Sequence, residues 1–155
     1  MQRLPILTQR RIEAAIANGI YDEMNHELGE TAAKRILSNA VMKLARAGAA
    51  EMAKEAPDGK TSLDSFRALK PLWTAEDALH TEVVKSTETE YHFNVVRCRY
   101  AEMYREMGLA ELGAVLSCNR DGVFCEGYDP KLKLRRTQTI MGGASHCDFR
   151  YSYDK

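Results

Sequence analysis

The stretch EYHFNVVRCRY, residues 90–100, decides the fold class. It is rich in β-branched and aromatic residues, and it alternates. Tyr91, Phe93 and Val95 point one way; His92, Asn94, Val96 and Cys98 point the other. This is a strand pattern in a chain whose first half reads as helix. Upstream, ALHTEVVKS (78–86) is a second strand candidate. Downstream, YAEMYREMGLAELGAVLS (100–117) returns to helix, in two pieces broken at Gly108. LKLRRTQTIM (132–141) and CDFRYSY (147–153) complete the strand candidates. Cys147, Phe149 and Tyr151 share one face of the last strand, and Asp148, Arg150 and Ser152 the other.

Working outward to the N-terminus, Ile12, Ile16, Ile20 and Met24 recur every fourth residue between charged neighbours. That spacing predicts an amphipathic helix with one apolar stripe, stopped at Gly29. A second helix is expected from Thr31 to Lys54, its apolar face made by Ile36, Leu37, Ala40, Val41, Leu44 and Ala47. APDGK (56–60) reads as a turn. Thr61, three residues before Asp64, predicts a capped short helix through Leu69 that Pro71 ends. Helices first, then a mixed strand and helix region, predict an α+β domain: N-terminal helices packed on a small, mainly antiparallel sheet formed by the C-terminal half. We expect one domain over 1–155, helical over about 8–70 and mixed over about 72–155.

The bulk composition narrows the function classes. With 155 residues, 45% of them hydrophobic and 28% charged, the chain can bury a core without staples. Lys and Arg total 22, and so do Asp and Glu, so no net field draws the chain to nucleic acid or an anionic membrane. No apolar run is long enough to span a bilayer, and MQRLPILTQRRIEAA has no apolar core of a secretion signal. A cytoplasmic location is therefore the expectation. The four cysteines, Cys98, Cys118, Cys125 and Cys147, are expected as reduced thiols that are buried, catalytic or metal-binding. Small polar-edged sheets with alanine-rich helices often pair, so a C2 homodimer is a reasonable expectation.

Nucleotide-binding glycine motifs, the serine-hydrolase elbow and the HExxH zinc motif are all absent. No CxxC pair occurs either. Cys118, Cys125, His146 and Cys147 are chemically suited to zinc, but their spacing is irregular, and no metal is the simpler expectation. Chemistry-bearing residues concentrate from Arg97 to Arg150. The bland readings are a core cysteine at Cys98, a turn at Asp129-Pro130, edge charges at Arg135 and Arg136, and a flexible turn at Gly142-Gly143.

Four ordered motifs weigh against the bland readings taken together. They are RCRYAEMY (97–104), LSCNRD (116–121), RTQTI (136–140) and CDFRY (147–151). With them the chain resembles the L-2-amino-thiazoline-4-carboxylic acid hydrolase family, most closely over about 72–151 and more loosely over the N-terminal helices. The resemblance implies hydrolysis of a five-membered S,N-heterocycle to N-carbamoyl-L-cysteine, with no cofactor. Water attacks the ring carbon between nitrogen and sulfur, and the C–S bond breaks.

That reaction needs a base or a nucleophile, a proton donor and a carboxylate anchor. Asp148 and Asp121 are the candidate bases, and Cys147 and Cys118 the candidate nucleophiles, with Arg150 or a protonated His146 to stabilise thiolate. Arg150 and Arg136 are candidate anchors; Thr137, Thr139 and Asn119 can hydrogen-bond the ring, and the Gly142-Gly143 turn can offer backbone N–H groups. Cys147 and Asp148 come first because they share a motif with Arg150. In a regular strand, however, these two adjacent residues face opposite ways, and only a bulge or a later strand start brings them together. A small-molecule substrate is thus the expected partner. The other readings are a lyase or deaminase acting on an aromatic or heterocyclic acid, and a small-molecule- or metal-sensing module without catalysis.

Overall fold

The computed structural model describes residues 3–155. Two long helices open it, α1 (Ile6–Leu28) and α2 (Glu30–Lys54). Only Gly29 separates them, and its φ of 83° lies where side chains are disfavoured. The stop expected at Gly29 is therefore also a hinge that folds the helices back on each other. An Arg3–Glu55 ion pair at 3.8 Å joins the far ends of this hairpin.

Of the predicted stripe of α1 only Met24 packs against the core; its three isoleucines turn outward. Ala14 and Tyr21 are buried, whereas Ile12, Ile16 and Ile20 are 51%, 64% and 55% exposed. A fourfold repeat marks a face but does not say which way it turns. The inner face carries Ala14, Ala17 and Tyr21 against the rest of the molecule. On α2 the buried stripe is Ala33, Leu37, Val41, Ala45 and Ala49. Leu37 and Val41 were expected there, but Ile36, Ala40, Leu44 and Ala47 lie on the exposed flank.

Short elements follow. α3 (Leu63–Arg67) is capped by Ser62, not Thr61: Ser62 Oγ accepts from Ser65 N at 3.0 Å, and Ser65 Oγ accepts from Ser62 N at 2.9 Å. Pro71 does not terminate a helix; it sits in the first turn of α4 (Lys70–Thr74), where its missing N–H costs nothing.

The sheet has four antiparallel strands: β1 (Leu79–Ser86), β2 (Glu90–Cys98), β3 (Leu132–Arg135) and β4 (Cys147–Tyr153), in the order β1-β2-β4-β3. Between β2 and β3 the chain forms α5 (Arg99–Glu106), reverses at Gly108 (φ 73°), makes a π-helical turn (Ala114–Cys118) and enters α6 (Arg120–Tyr128). α6 was not foreseen, because Gly122 and Gly127 obscure its periodicity. Gly127 has a packing reason: a Cβ there would stand 3.1 Å from the carbonyl oxygen of Arg46 in α2. The third strand is shorter than LKLRRTQTIM suggests, and residues 136–146 leave the sheet as a loop.

Tyr91, Phe93 and Val95 turn inward with Phe149 and Tyr151, and Phe93 stacks on Phe149 with ring centroids 5.0 Å apart. A bulge corrects the expected alternation at the end of β2. His80 pairs with Arg97 and Thr81 with Val95, so Val96 has no partner. The inserted residue shifts the phase: Val96 and Arg97 face solvent and Cys98 enters the core, not the face of His92 and Asn94. The architecture is thus α+β, helices on one face of an antiparallel sheet. Among the described residues, no helix is long and apolar enough to cross a membrane.

Candidate active site

The loop 136–146 and the start of α6 organise the polar residues into two groups. The first is inside. Arg136 leaves the end of β3 and donates from Nη1 to Asp121 Oδ2 at 2.5 Å and from Nη2 to the Cys118 carbonyl at 3.0 Å. Its guanidinium lies over the Phe149 ring, 5.0 Å from the centroid. Asp121 stands in the first turn of α6, and the adjacent Arg120 bonds back to Glu13 of α1 at 3.3 Å. Asn119 Nδ2 donates to Ser38 Oγ of α2 at 2.7 Å. Both long helices therefore fix the start of α6.

Asp121 is hemmed in by protein yet keeps 34% of its side-chain surface open, against 17% for Arg136. Burial raises its carboxyl pKa above the ordinary value, and the Arg136 guanidinium works against that rise. Burial also pushes the nearby thiols up: Cys118 to about 12, with Asp121 adding to the effect, and Cys98 to about 11. Cys147 is raised by burial too, opposed by a hydrogen bond from Ile140 N and by Arg136. These are protonated thiols at neutral pH, not the thiolates that nucleophilic catalysis requires.

The second group is the loop and the outer face of the sheet. Asp148 pairs with Asn94 on that face, while Cys147, 6% exposed, points inward. β4 is regular, so the two lead candidates do face opposite ways. Asp148 accepts from Thr137 N at 2.9 Å, Thr137 Oγ1 at 2.5 Å and Gln138 N at 2.9 Å. Burial tends to raise its pKa, but these hydrogen bonds outweigh it and hold the carboxyl at about 2. Arg150 donates to the Phe93 carbonyl (3.1 Å), the Phe149 carbonyl (2.9 Å) and Asn94 Oδ1 (2.9 Å). It braces β2 against β4. His146 is 2.9 Å from Ser145 Oγ and 3.4 Å from Gln138 Nε2.

The loop itself forms a groove of about 440 Å³, lined by Arg136, Thr137, Gln138, Thr139, Gly142 and Ala144. The structure brings Arg136, Thr137 and Gly142 together here, with Asp121 and Cys118 reached through Arg136. Arg150 and His146 do not line it. Nor do the glycines offer free amides: Gly142 N donates to the Thr139 carbonyl and Oγ1, and Gly143 N to the Ile140 carbonyl. The Thr139 hydroxyl, which accepts from Gly142, retains its own proton to donate. Gln138 was overlooked as a site residue although it sits inside the RTQTI motif; only the loop's path reveals that it faces the groove. The zinc set is not assembled. Cys125 Sγ donates to the Gly122 carbonyl within α6, and among the described residues no three His, Cys, Asp or Glu side chains are grouped to hold a metal.

This arrangement is an α+β domain whose polar groove adjoins a carboxylate–guanidinium pair. The chain belongs to the L-2-amino-thiazoline-4-carboxylic acid hydrolase family, whose model matches residues 9–151. No curated protein matches it. Solved structures share the fold at low identity. The phenol-responsive sensory domain of the transcription activator PoxR with phenol superposes with a TM-score of 0.57 and 15% identity, covering 90% of this chain and 73% of that one. A trafficking protein particle complex subunit 3 from Naegleria fowleri, covalently bound to palmitic acid, gives 0.55 and 10% identity, covering 96% of each.

Proposed function

We propose that this protein hydrolyses a small cyclic amidine carboxylate of the 2-amino-thiazoline-4-carboxylate type, by attack of water rather than of a protein thiol. The observation that carries the reading is the Asp121–Arg136 pair: a partly open carboxylate, raised by burial, beside a cation that also lines the groove. Asp121 takes a proton from water as the oxygen bonds to the ring carbon between nitrogen and sulfur, the ring nitrogen takes up a proton as the C=N bond opens, and the added hydroxyl gives up its own proton as the carbonyl forms. The C–S bond then breaks, and the sulfur leaves with a proton as the product thiol. Arg136 opposes developing negative charge and orients the substrate carboxylate, with the Thr139 hydroxyl as a neutral donor. Family membership supports the reaction class, and the raised thiols favour water over cysteine as the attacking group.

The test is direct. Purified protein is incubated with L-2-amino-thiazoline-4-carboxylate, and product thiol is separated from protein before it is titrated. Release above the blank that disappears in Asp121→Asn supports the proposal; no release from folded protein removes this substrate. A second reading, ligand binding without turnover, draws on the likeness to a phenol-responsive sensory domain and on the lack of an ionised thiol. Calorimetric binding of a heterocyclic acid that is recovered unchanged would select it.

A further inference from the structure

We propose that Arg135 and Arg150, side by side on the outer face of the sheet, form with His92 a binding site for a small phosphate-type dianion. The helices cover the other face, where Tyr91, Phe93, Phe149 and Tyr151 are packed. On the outer face the register sets Lys85 opposite His92, His92 opposite Arg150, and Arg150 opposite Arg135. This is one basic row across all four strands. Like charges set directly opposite destabilise a sheet, so folding alone does not account for the row. The site is separate from the groove, because Arg135 turns out at the end of β3 while Arg136 turns in to Asp121.

Only one end of the row is neutralised. Lys85 pairs with Glu90, and His92 Nε2 stands 3.5 Å from the same carboxylate. Burial lowers the His92 pKa, and Arg150 and Lys85 add to this against Glu90, so the ring is neutral at pH 7. Arg150 spends three of its five N–H donors, all on neutral acceptors: the Phe93 and Phe149 carbonyls and Asn94 Oδ1. Arg135 is exposed, and among the described residues neither arginine has a carboxylate partner. Directly opposed residues have Cβ atoms about 5 Å apart, so the two guanidiniums can close on one tetrahedral anion. The neighbouring rows on this face carry acid, Glu82 and Asp148 on one side and Glu90 on the other. The uncompensated spot is therefore two side chains wide. A nucleic-acid strand or an anionic membrane would bring its further charges against those carboxylates. A carboxylate would balance one guanidinium; a phosphate dianion balances both and favours a proton on His92.

Inorganic phosphate titrated into the full chain at constant ionic strength tests the idea, read by calorimetry and by the NMR signals of the His92 ring. Phosphate should bind and raise the His92 pKa. Arg135→Ala should weaken binding by about tenfold or more with an unchanged circular-dichroism spectrum, since Arg135 is exposed at the end of β3. Lys34→Ala, which removes an exposed cation of α2, should bind as the wild type does. Tighter binding of glycerol 3-phosphate than of phosphate would place the anion on an organic monoester. No His92 response at millimolar phosphate overturns the proposal, as does equal affinity in Arg135→Ala. Binding to phosphatidylserine vesicles without binding of free phosphate overturns it too, and gives the face to a membrane.

Discussion

Two carboxylates hold residues that line the groove, Asp121 through Arg136 and Asp148 through Thr137 and Gln138, and they are opposites. Asp148 is held by three hydrogen bonds and lowered to about 2; Asp121 is half-buried, partly open and pushed upward against an arginine. One is a clamp for the loop, since a carboxylate that already accepts from two backbone amides and a hydroxyl is a poor proton acceptor. The other is raised by burial against the pull of Arg136, so it holds a proton more readily than an ordinary carboxyl. Proximity of reactive residues in sequence thus misleads: Asp148 sits next to a cysteine yet faces away from it, whereas Asp121 meets Arg136 from 15 residues away.

Asp121→Asn should break the comparison most sharply. We expect kcat to fall by about 10²–10⁴-fold, with little change in melting temperature, because the amide oxygen keeps the contact to Arg136. Survival of turnover would show that water is activated elsewhere. Asp148→Asn should do the reverse, lowering stability by about 1–3 kcal/mol in denaturant unfolding as one acceptor site is lost to a donor.

The pH dependence carries the same contrast with opposite sign. Asp148, depressed in the folded state, contributes stability that is present above its ordinary value of 3.8 and lost as pH falls towards about 2. Asp121, raised in the folded state, contributes stability that is present below its ordinary 3.8 and lost as pH rises through its folded value. Acid titrations of the two asparagine variants should therefore differ from wild type in opposite directions; parallel curves would dissolve the distinction.

Smaller effects are expected at the thiols. Cys118→Ser and Cys147→Ser should each retain turnover within about tenfold, because neither thiol is ionised at neutral pH. Loss of activity in either variant, with the fold intact, would restore a covalent mechanism. Smallest of all is Arg150→Ala: KM should be unchanged, since this side chain braces β2 and β4 and does not line the groove. A raised KM would return Arg150 to the substrate.

Much of the fold was legible. The alternation of EYHFNVV and CDFRYSY marked β2 and β4 and their inner faces, and Gly29 marked the helix break. Other features were not. The bulge at Val96 leaves no trace in composition, because it depends on how β1 pairs with β2. α6 carries two glycines, one of them required by contact with Arg46. At the site, Arg136, Thr137 and Gly142 were read from motifs and do share a groove, but the assignment of Gly142 and Gly143 as amide donors failed because their N–H groups close the turn itself.

The sequence by itself determined the α+β class, the helix-first order, the family, and which residues carry chemistry, because side-chain periodicity and short motifs are local properties. Tertiary structure alone decided which face of α1 is buried, which carboxylate is clamped and which is open, and that burial raises the cysteines rather than a cation lowering them. Those outcomes depend on desolvation and on partners distant in the chain, such as Arg136 for Asp121 and Thr137 for Asp148. A helix period states that a face exists; only the neighbours packed around it determine what that face meets.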